Sequence, residues 1–208
     1  MRKRFTAALL SSGAAVVALG LGTTAAMASS VDATWTVSPG GSVKASGSGQ
    51  VKDAKTGTVA KCKSIKMSGT AKHGKGLSGA GIATIKSGSF TGCTIATISV
   101  KVASNGLPWK LNAVSYKNGV TTGTITGVDL KATAPGCTAS LDGTKAGADN
   151  GKITATYSNS TGVLKLVGTG GNLHTWGVSG CFGLVKNGDP EHASGSLKMS
   201  PKQKITSP

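Results

Sequence analysis

A chain of 208 residues with a formal net charge of +16, 32 glycines and 4% aromatic residues lacks the long apolar runs of a helical membrane protein. Its charge is also too dilute, and its apolar residues too regularly patterned, for a disordered tail. Arginine occurs only at Arg2 and Arg4, so every later side chain of fixed positive charge is a lysine. That disfavours the bidentate recognition of phosphate and base edges that arginine supplies.

The chain opens with Arg2, Lys3 and Arg4, continues with an apolar, Ala-rich run from Phe5 to Leu21, and reaches the small-residue triplet Ala26-Met27-Ala28. That order is the order of a secretory signal and predicts cleavage after Ala28. Residues 1–28 are then a signal peptide, and 29–208 a single all-β secreted domain. Ser11, Ser12 and Gly13 interrupt the run, which is short for a helix crossing ~30 Å of hydrocarbon, so no membrane anchor is expected. The predicted location is extracellular.

Beyond the leader no helical period appears, whereas Thr, Ser, Val and Gly are abundant and turn signals recur, which is a β composition. Trp35 to Pro39 reads as a short strand ending in proline, suited to an edge. Gly74-Lys75-Gly76-Leu77-Ser78-Gly79 satisfies G-x-G-x-x-G, but strand-like Ile82 to Ile85 follows it where a dinucleotide site needs a helix, so a flexible loop is expected. Thr97 to Val102 alternates, placing Ile98, Val100 and Val102 on one face and Thr97, Ser99 and Lys101 on the other. Asn118-Gly119 between Trp109–Tyr116 and Val120–Leu130 predicts a hairpin with a type I′ turn, and Gly127 a bulge in its second strand. Strands are also expected over Lys152–Tyr157, Val163–Val167 and Leu173–Val178. Leu197 to Pro201 repeats the strand-into-Ser-Pro ending of Trp35 to Pro39, which suggests that the terminal strands lie together. The predicted fold is an antiparallel β-sandwich or β-barrel of many short strands, stapled by disulfides.

The staples come from Cys62, Cys93, Cys137 and Cys181, an even number in a chain bound for an oxidising compartment. Zinc is not expected, because no two of them are close in sequence. A faint repeat, with Gly69-Thr70 and Phe90 to Cys93 in one half and Gly143-Thr144 and Val178 to Cys181 in the other, favours pairing Cys62 with Cys93 and Cys137 with Cys181.

Three segments together, Ala33-Thr34-Trp35-Thr36-Val37-Ser38-Pro39-Gly40-Gly41, Leu107-Pro108-Trp109-Lys110-Leu111-Asn112-Ala113-Val114 and Ser200 to Pro208, resemble a family of small secreted actinobacterial proteins. The likeness covers essentially the whole mature chain. It implies export, and because that family has no assigned activity it transfers no functional residues.

Catalytic motifs are missing from the sequence: it holds neither a G-x-S-x-G elbow nor a P-loop. Of the histidines, His73 reads as an exposed loop residue, and His174 as a strand residue on the face of Trp176. Asn187-Gly188-Asp189-Pro190-Glu191-His192 is the densest polar cluster and reads as a solvated turn, since acid and base neighbours in one turn rarely oppose each other across a cleft. Trp35, Trp109 and Trp176 are candidates for a sugar-stacking platform, but with so few large side chains most are expected in a core.

A secreted, non-enzymatic β domain is therefore expected, with no catalytic residue, metal or cofactor. Its partner would be an anionic polymer, of the cell wall or a nucleic acid, met nonspecifically through Lys61, Lys63, Lys66, Lys72 and Lys75. The alternatives are a secreted hydrolase with an unrecognised site and a small-ligand carrier or inhibitor. A pocket around His174 or Asp189–His192 would favour the hydrolase, and an apolar barrel interior the carrier.

Overall fold

The structure, a computed structural model, describes residues 34–207; the predicted leader and the cleavage point after Ala28 lie outside the described residues. Fourteen strands follow in order: β1 Trp35–Ser38, β2 Gly41–Asp53, β3 Val59–Ala71, β4 Gly74–Leu77, β5 Ala83–Ile95, β6 Ile98–Asn105, β7 Trp109–Lys117, β8 Val120–Ala134, β9 Cys137–Asp142, β10 Gly151–Ser158, β11 Val163–Val167, β12 His174–Ser179, β13 Glu191–Ser200 and β14 Lys204–Thr206. All pairings are antiparallel.

The choice between sandwich and barrel is decided by closure. Strand β8 pairs with β10, β10 with β11, β11 with β13, β13 with β2, β2 with β3, β3 with β5, β5 with β7, and β7 with β8 again. This eight-membered ring is a barrel with no free edge. Closure is possible because inward and outward residues alternate. In β10 every second residue is buried, which turns Ile153, Ala155 and Tyr157 inward.

A second ring is stacked on the first, because β5 and β8 run for 13 and 15 residues and change partners along their length. Ala83–Ile85 of β5 pair with β7, whereas Cys93–Ile95 pair with β6. On β8, residues up to Thr126 pair with β7 and those from Asp129 with β6, while on its other flank β10 gives way to β9. Strand β9 pairs with β12. The upper ring then closes on β13 through a bridge between His174 and Pro190 and through the bonds Thr175 N–H to Asp189 O (2.9 Å) and Glu191 N–H to Leu173 O (2.8 Å). We call the ring containing β7, β10 and β11 the lower tier and the ring containing β6, β9 and β12 the upper tier.

The switch on β8 lies at the expected bulge, where Gly127 adopts φ +82° and the β8–β10 register slips. The hairpin turn also lies where expected, with Asn118 at φ 51° and Gly119 at φ 80°. Four strands are longer than the short ones expected: β2, β3 and β5 run for 13 residues and β8 for 15, with glycines inside each. At Gly47 a Cβ would lie 1.9 Å from Ser196 O, so glycine there marks a close approach between strands and not a turn.

A separate sheet of β14, β1 and β4 covers the lower end. Gly74–Leu77 is thus an ordered edge strand and not the expected flexible loop. Among the described residues the first strand does pair with the last, β1 with β14, whereas Leu197–Ser200 pairs with β2. Trp35, Val37 and Ile205 of this cover join Ile82, Trp109, Ile125, Tyr157 and Leu197 in a continuous core.

Candidate functional site: the hollow upper tier

The two tiers are filled differently. The lower tier holds the large side chains and leaves a void of only about 10 Å³ beside Leu111, Tyr157 and Leu164. The upper tier encloses a cavity of about 130 Å³. Its floor is Trp109, which is 1% exposed and donates its indole N–H to Asn105 O at 3.0 Å. The walls carry Ile65, Met67, Phe90, Ile95, Val102, Val128 and Leu130. Toward the mouth they carry Ala60, Ala132, Ala134 and Ala139, and these short side chains are why space remains inside an eight-strand ring.

Both disulfides belong to this tier. Cys62 and Cys93 are direct cross-strand partners on β3 and β5, and Cys137 at the start of β9 is joined to Cys181 beyond β12. Cys62, Cys93 and Cys137 also line the cavity. A void of this size forfeits about 3 kcal/mol of packing at ~24 cal/mol per Å³. One disulfide closing a loop of this length offsets a similar amount, about 3 to 4 kcal/mol. The cross-links brace the part of the barrel that lacks a packed interior.

The segment after Cys181 crosses the mouth. Val185 lines the cavity, the carbonyl of Leu184 accepts the Thr56 hydroxyl at 2.8 Å, and Phe182 stands 86% exposed on the rim beside Gly136. Disulfides mark an oxidising, extracellular-type environment. No helix among the described residues is long and apolar enough to cross a membrane.

The polar groups in the wall are few and include Thr175 and Glu191. Glu191 was expected in a solvated turn, yet it is 8% exposed and accepts the Thr175 hydroxyl. The expectation holds for Asn187–Asp189, whose side chains tie the turn to Val178 and Lys186, but β13 begins inside the ring and takes Glu191 with it. Burial pushes the Glu191 carboxyl up to about 7, the Thr175 hydroxyl pulls the other way, and nearby Asp53 and Asp189 add to the rise. Asp53, the register partner of Glu191, accepts the N–H groups of Lys55 and Thr56 on Oδ1 at 2.7 and 2.9 Å, and its Oδ2 is buried without a partner.

The remaining candidates scatter. His174 lies on β12 with its Nδ1 2.9 Å from Asn172 O and its ring 6.0 Å from that of Trp176, as expected of a strand histidine on the face of Trp176. His73 and His192 are exposed. Trp35 and Trp109 are core residues and Trp176 is half-buried, so the three form no stacking platform.

The expected lysine cluster divides. Lys61, Lys63 and Lys66 project from the outer face of β3, where Lys61 is aligned with Gln50 and Thr94, and Lys66 with Ser46 and Ser89. Lys44 and Lys52 on β2, Lys198 on β13 and Lys165 on β11 extend the same wall. Asp53 and Glu191, the acids of β2, β3, β5, β11 and β13, are both buried, so the exposed wall carries no carboxylate. Lys72 and Lys75 lie elsewhere: the chain turns at Lys72, whose Nζ donates to Ala80 O at 3.0 Å, and Lys75 is on β4 of the lower cover.

Sequence reasoning missed two features. The cavity is a property of ring closure, signalled only by alanines at inward positions. A cluster of Asp129, Asp142 and Asp149 comes from separate strands and loops and follows no motif spacing. Compared with protein-family models, curated proteins and solved structures, the chain matches none.

Proposed function

We propose that this is a secreted carrier domain that takes a small apolar molecule into the upper tier of its barrel. The observation that carries the reading is the 130 Å³ cavity with its almost wholly apolar wall, a size comparable to engineered cavities that take up benzene. Glu191, holding its proton below about pH 7, gives that wall a hydrogen-bond donor for one polar atom of a guest. We read the role as non-enzymatic because His174 lies outside the cavity lining, with its Nδ1 on Asn172 O. Export is supported by the disulfides and by the charged, apolar and small-residue order of the leader.

The test is thermal unfolding of the disulfide-intact protein in benzene-saturated buffer, beside an Ala139→Leu variant that fills the cavity from β9. Benzene is expected to raise the midpoint of the parent protein and to leave that of the variant in place. No rise in the parent, or an equal rise in both, overturns the proposal.

A second reading, binding of an anionic polymer, is favoured by the carboxylate-free wall from β11 to β5. Lysine without arginine gives diffuse, salt-sensitive attraction. On a polyphosphate resin the protein is expected to elute at higher salt than an unrelated protein of equal lysine content, and a Lys61→Gln, Lys63→Gln, Lys66→Gln variant earlier than the parent. Elution of parent and variant together rules the wall out. Both functions fit one molecule, since the cavity opens at the mouth and the wall faces sideways.

A further inference from the structure

We infer that Asp129 and Asp149 form a binding site for a divalent cation of the calcium type, at the fork where the two tiers of the barrel part. Asp129 is the first residue of β8 to pair with β6, opposite Asn105, and stands two positions after the Gly127 bulge. Asp142 ends β9, and Asp149 lies at φ 51° just before β10. One carboxylate oxygen from each of the three lies within 4.8 Å of the others. The whole chain has only seven acidic residues against 23 lysines and arginines, yet three of the seven converge here.

The three acids do different work. Asp142 accepts five backbone N–H groups: Gly143, Asn150 and Gly151 on Oδ1 at 2.6, 3.0 and 3.1 Å, and Ala148 and Asp149 on Oδ2 at 2.8 and 3.0 Å. Its acceptor capacity is used up, so it is a positioning residue that folds the 143–150 loop and delivers Asp149 to Asp129. Asp129 is left in need. It is 5% exposed, and its Oδ1 is buried without any hydrogen-bond partner. Burial first, then the neighbouring Asp142 and Asp149, raise its carboxyl above the ordinary range, and the one opposing influence is the Asn105 side chain. A carboxylate so placed is costly unless it is paired, and no lysine acts on it.

Gly106 completes the cradle. A Cβ there would lie 2.0 Å from Asp149 Oδ1, so only glycine admits the carboxylate at that position. Two carboxylates, with the Asn105 amide able to turn its oxygen inward, make an all-oxygen donor set. Such a set suits calcium and not the softer transition metals. With so few protein ligands, the dissociation constant belongs at about 0.1 to 1 mM, the range of extracellular calcium modules. Bound there, the ion joins β8 to the loop entering β10 and ties the fork together.

The experiment is calorimetric titration of the disulfide-intact, chelator-treated protein with calcium chloride, paralleled by magnesium chloride and by thermal unfolding. One calcium per chain is expected, with a raised unfolding midpoint and weaker binding of magnesium, which demands stricter octahedral geometry. Asp149→Asn is the primary variant because the residue is exposed and the backbone N–H bonds that hold its loop are untouched. It should weaken binding about tenfold or more, as should Asp129→Asn if that variant folds, while Asp189→Asn leaves binding unchanged. The proposal is overturned by no heat and no midpoint shift up to about 10 mM calcium. It is equally overturned by undiminished affinity in Asp149→Asn, or by magnesium binding as tightly as calcium.

Discussion

The phenol of Tyr157 donates to the carbonyl of Gln203 at 2.9 Å and accepts the amide N–H of the same residue at 2.8 Å, so one side chain of β10 satisfies both backbone polar groups of a buried residue. The Gln203 side chain extends the seal, accepting from Gly40 N–H at 2.8 Å and donating to Pro201 O at 3.0 Å. The lower end of the barrel is locked by this polar knot.

Tyr157→Phe keeps the ring but orphans both groups of Gln203. Each unsatisfied buried group costs about 1 to 3 kcal/mol, so a loss of about 2 to 6 kcal/mol is expected. Urea unfolding should show it as a lowered midpoint at unchanged slope.

Glu191 makes the protein less stable as pH rises, the reverse of the usual carboxylate pattern. Its carboxyl is raised from 4.5 to about 7 in the folded chain, so between those values the native state holds a proton that the unfolded state has lost. The cost is absent below about pH 4.5, grows through the window and is complete above about pH 7, where it amounts to about 3 kcal/mol. Glu191→Gln should flatten the stability profile between pH 4.5 and 7 and raise stability at pH 8, as measured by denaturant titration at each pH.

Reduction should act on the hollow tier. Replacing Cys62 and Cys93 by serine, or Cys137 and Cys181, removes closed loops of 31 and 44 positions, with an expected loss of about 3 to 4 kcal/mol for each pair. Hydrogen exchange is the discriminating measurement: protection should fall first in β6, β9 and β12, with β7, β10 and β11 holding out longer.

A methyl group at Gly69 would meet Thr84 O at 1.8 Å. Gly69→Ala must push β3 away from β5, and a loss of about 1 to 3 kcal/mol is expected, as for overpacking elsewhere. A variant as stable as the parent by thermal unfolding would show that the two strands are not held so closely.

What could be read from the residues was what local chemistry decides. The Asn118-Gly119 turn, the Gly127 bulge and the cysteine pairs each follow from short-range geometry or from a faint repeat between the two halves of the chain. Closure did not show itself, because it depends on β8 meeting β10 and β2 meeting β13, and alternation states which face is buried without stating against what. The lysines illustrate the same limit. Lys61, Lys63 and Lys66 share a face because they share a strand, while Lys72 and Lys75, their near neighbours in sequence, are carried off by a turn. The cavity escaped notice because Ala60, Ala132, Ala134 and Ala139 are unremarkable singly and leave a hollow only when a ring sets them opposite one another. The acid cluster escaped because Asp142 builds its loop through backbone N–H groups, which no sequence pattern displays.

The seam between β2 and β13 joins the second strand of the chain to the thirteenth, and that separation dictates when the molecule can be finished. During synthesis or threading through a pore, β2 emerges early and must wait, its hydrogen-bonding edge bare, until Glu191–Ser200 arrives. A chain cut short before that point has the walls of a barrel but no seam, and its open flanks on β2 and β11 are templates for neighbouring copies. Closure is thereby coupled to the arrival of β13, and a fragment ending before Glu191 is expected to aggregate, which light scattering of that fragment checks.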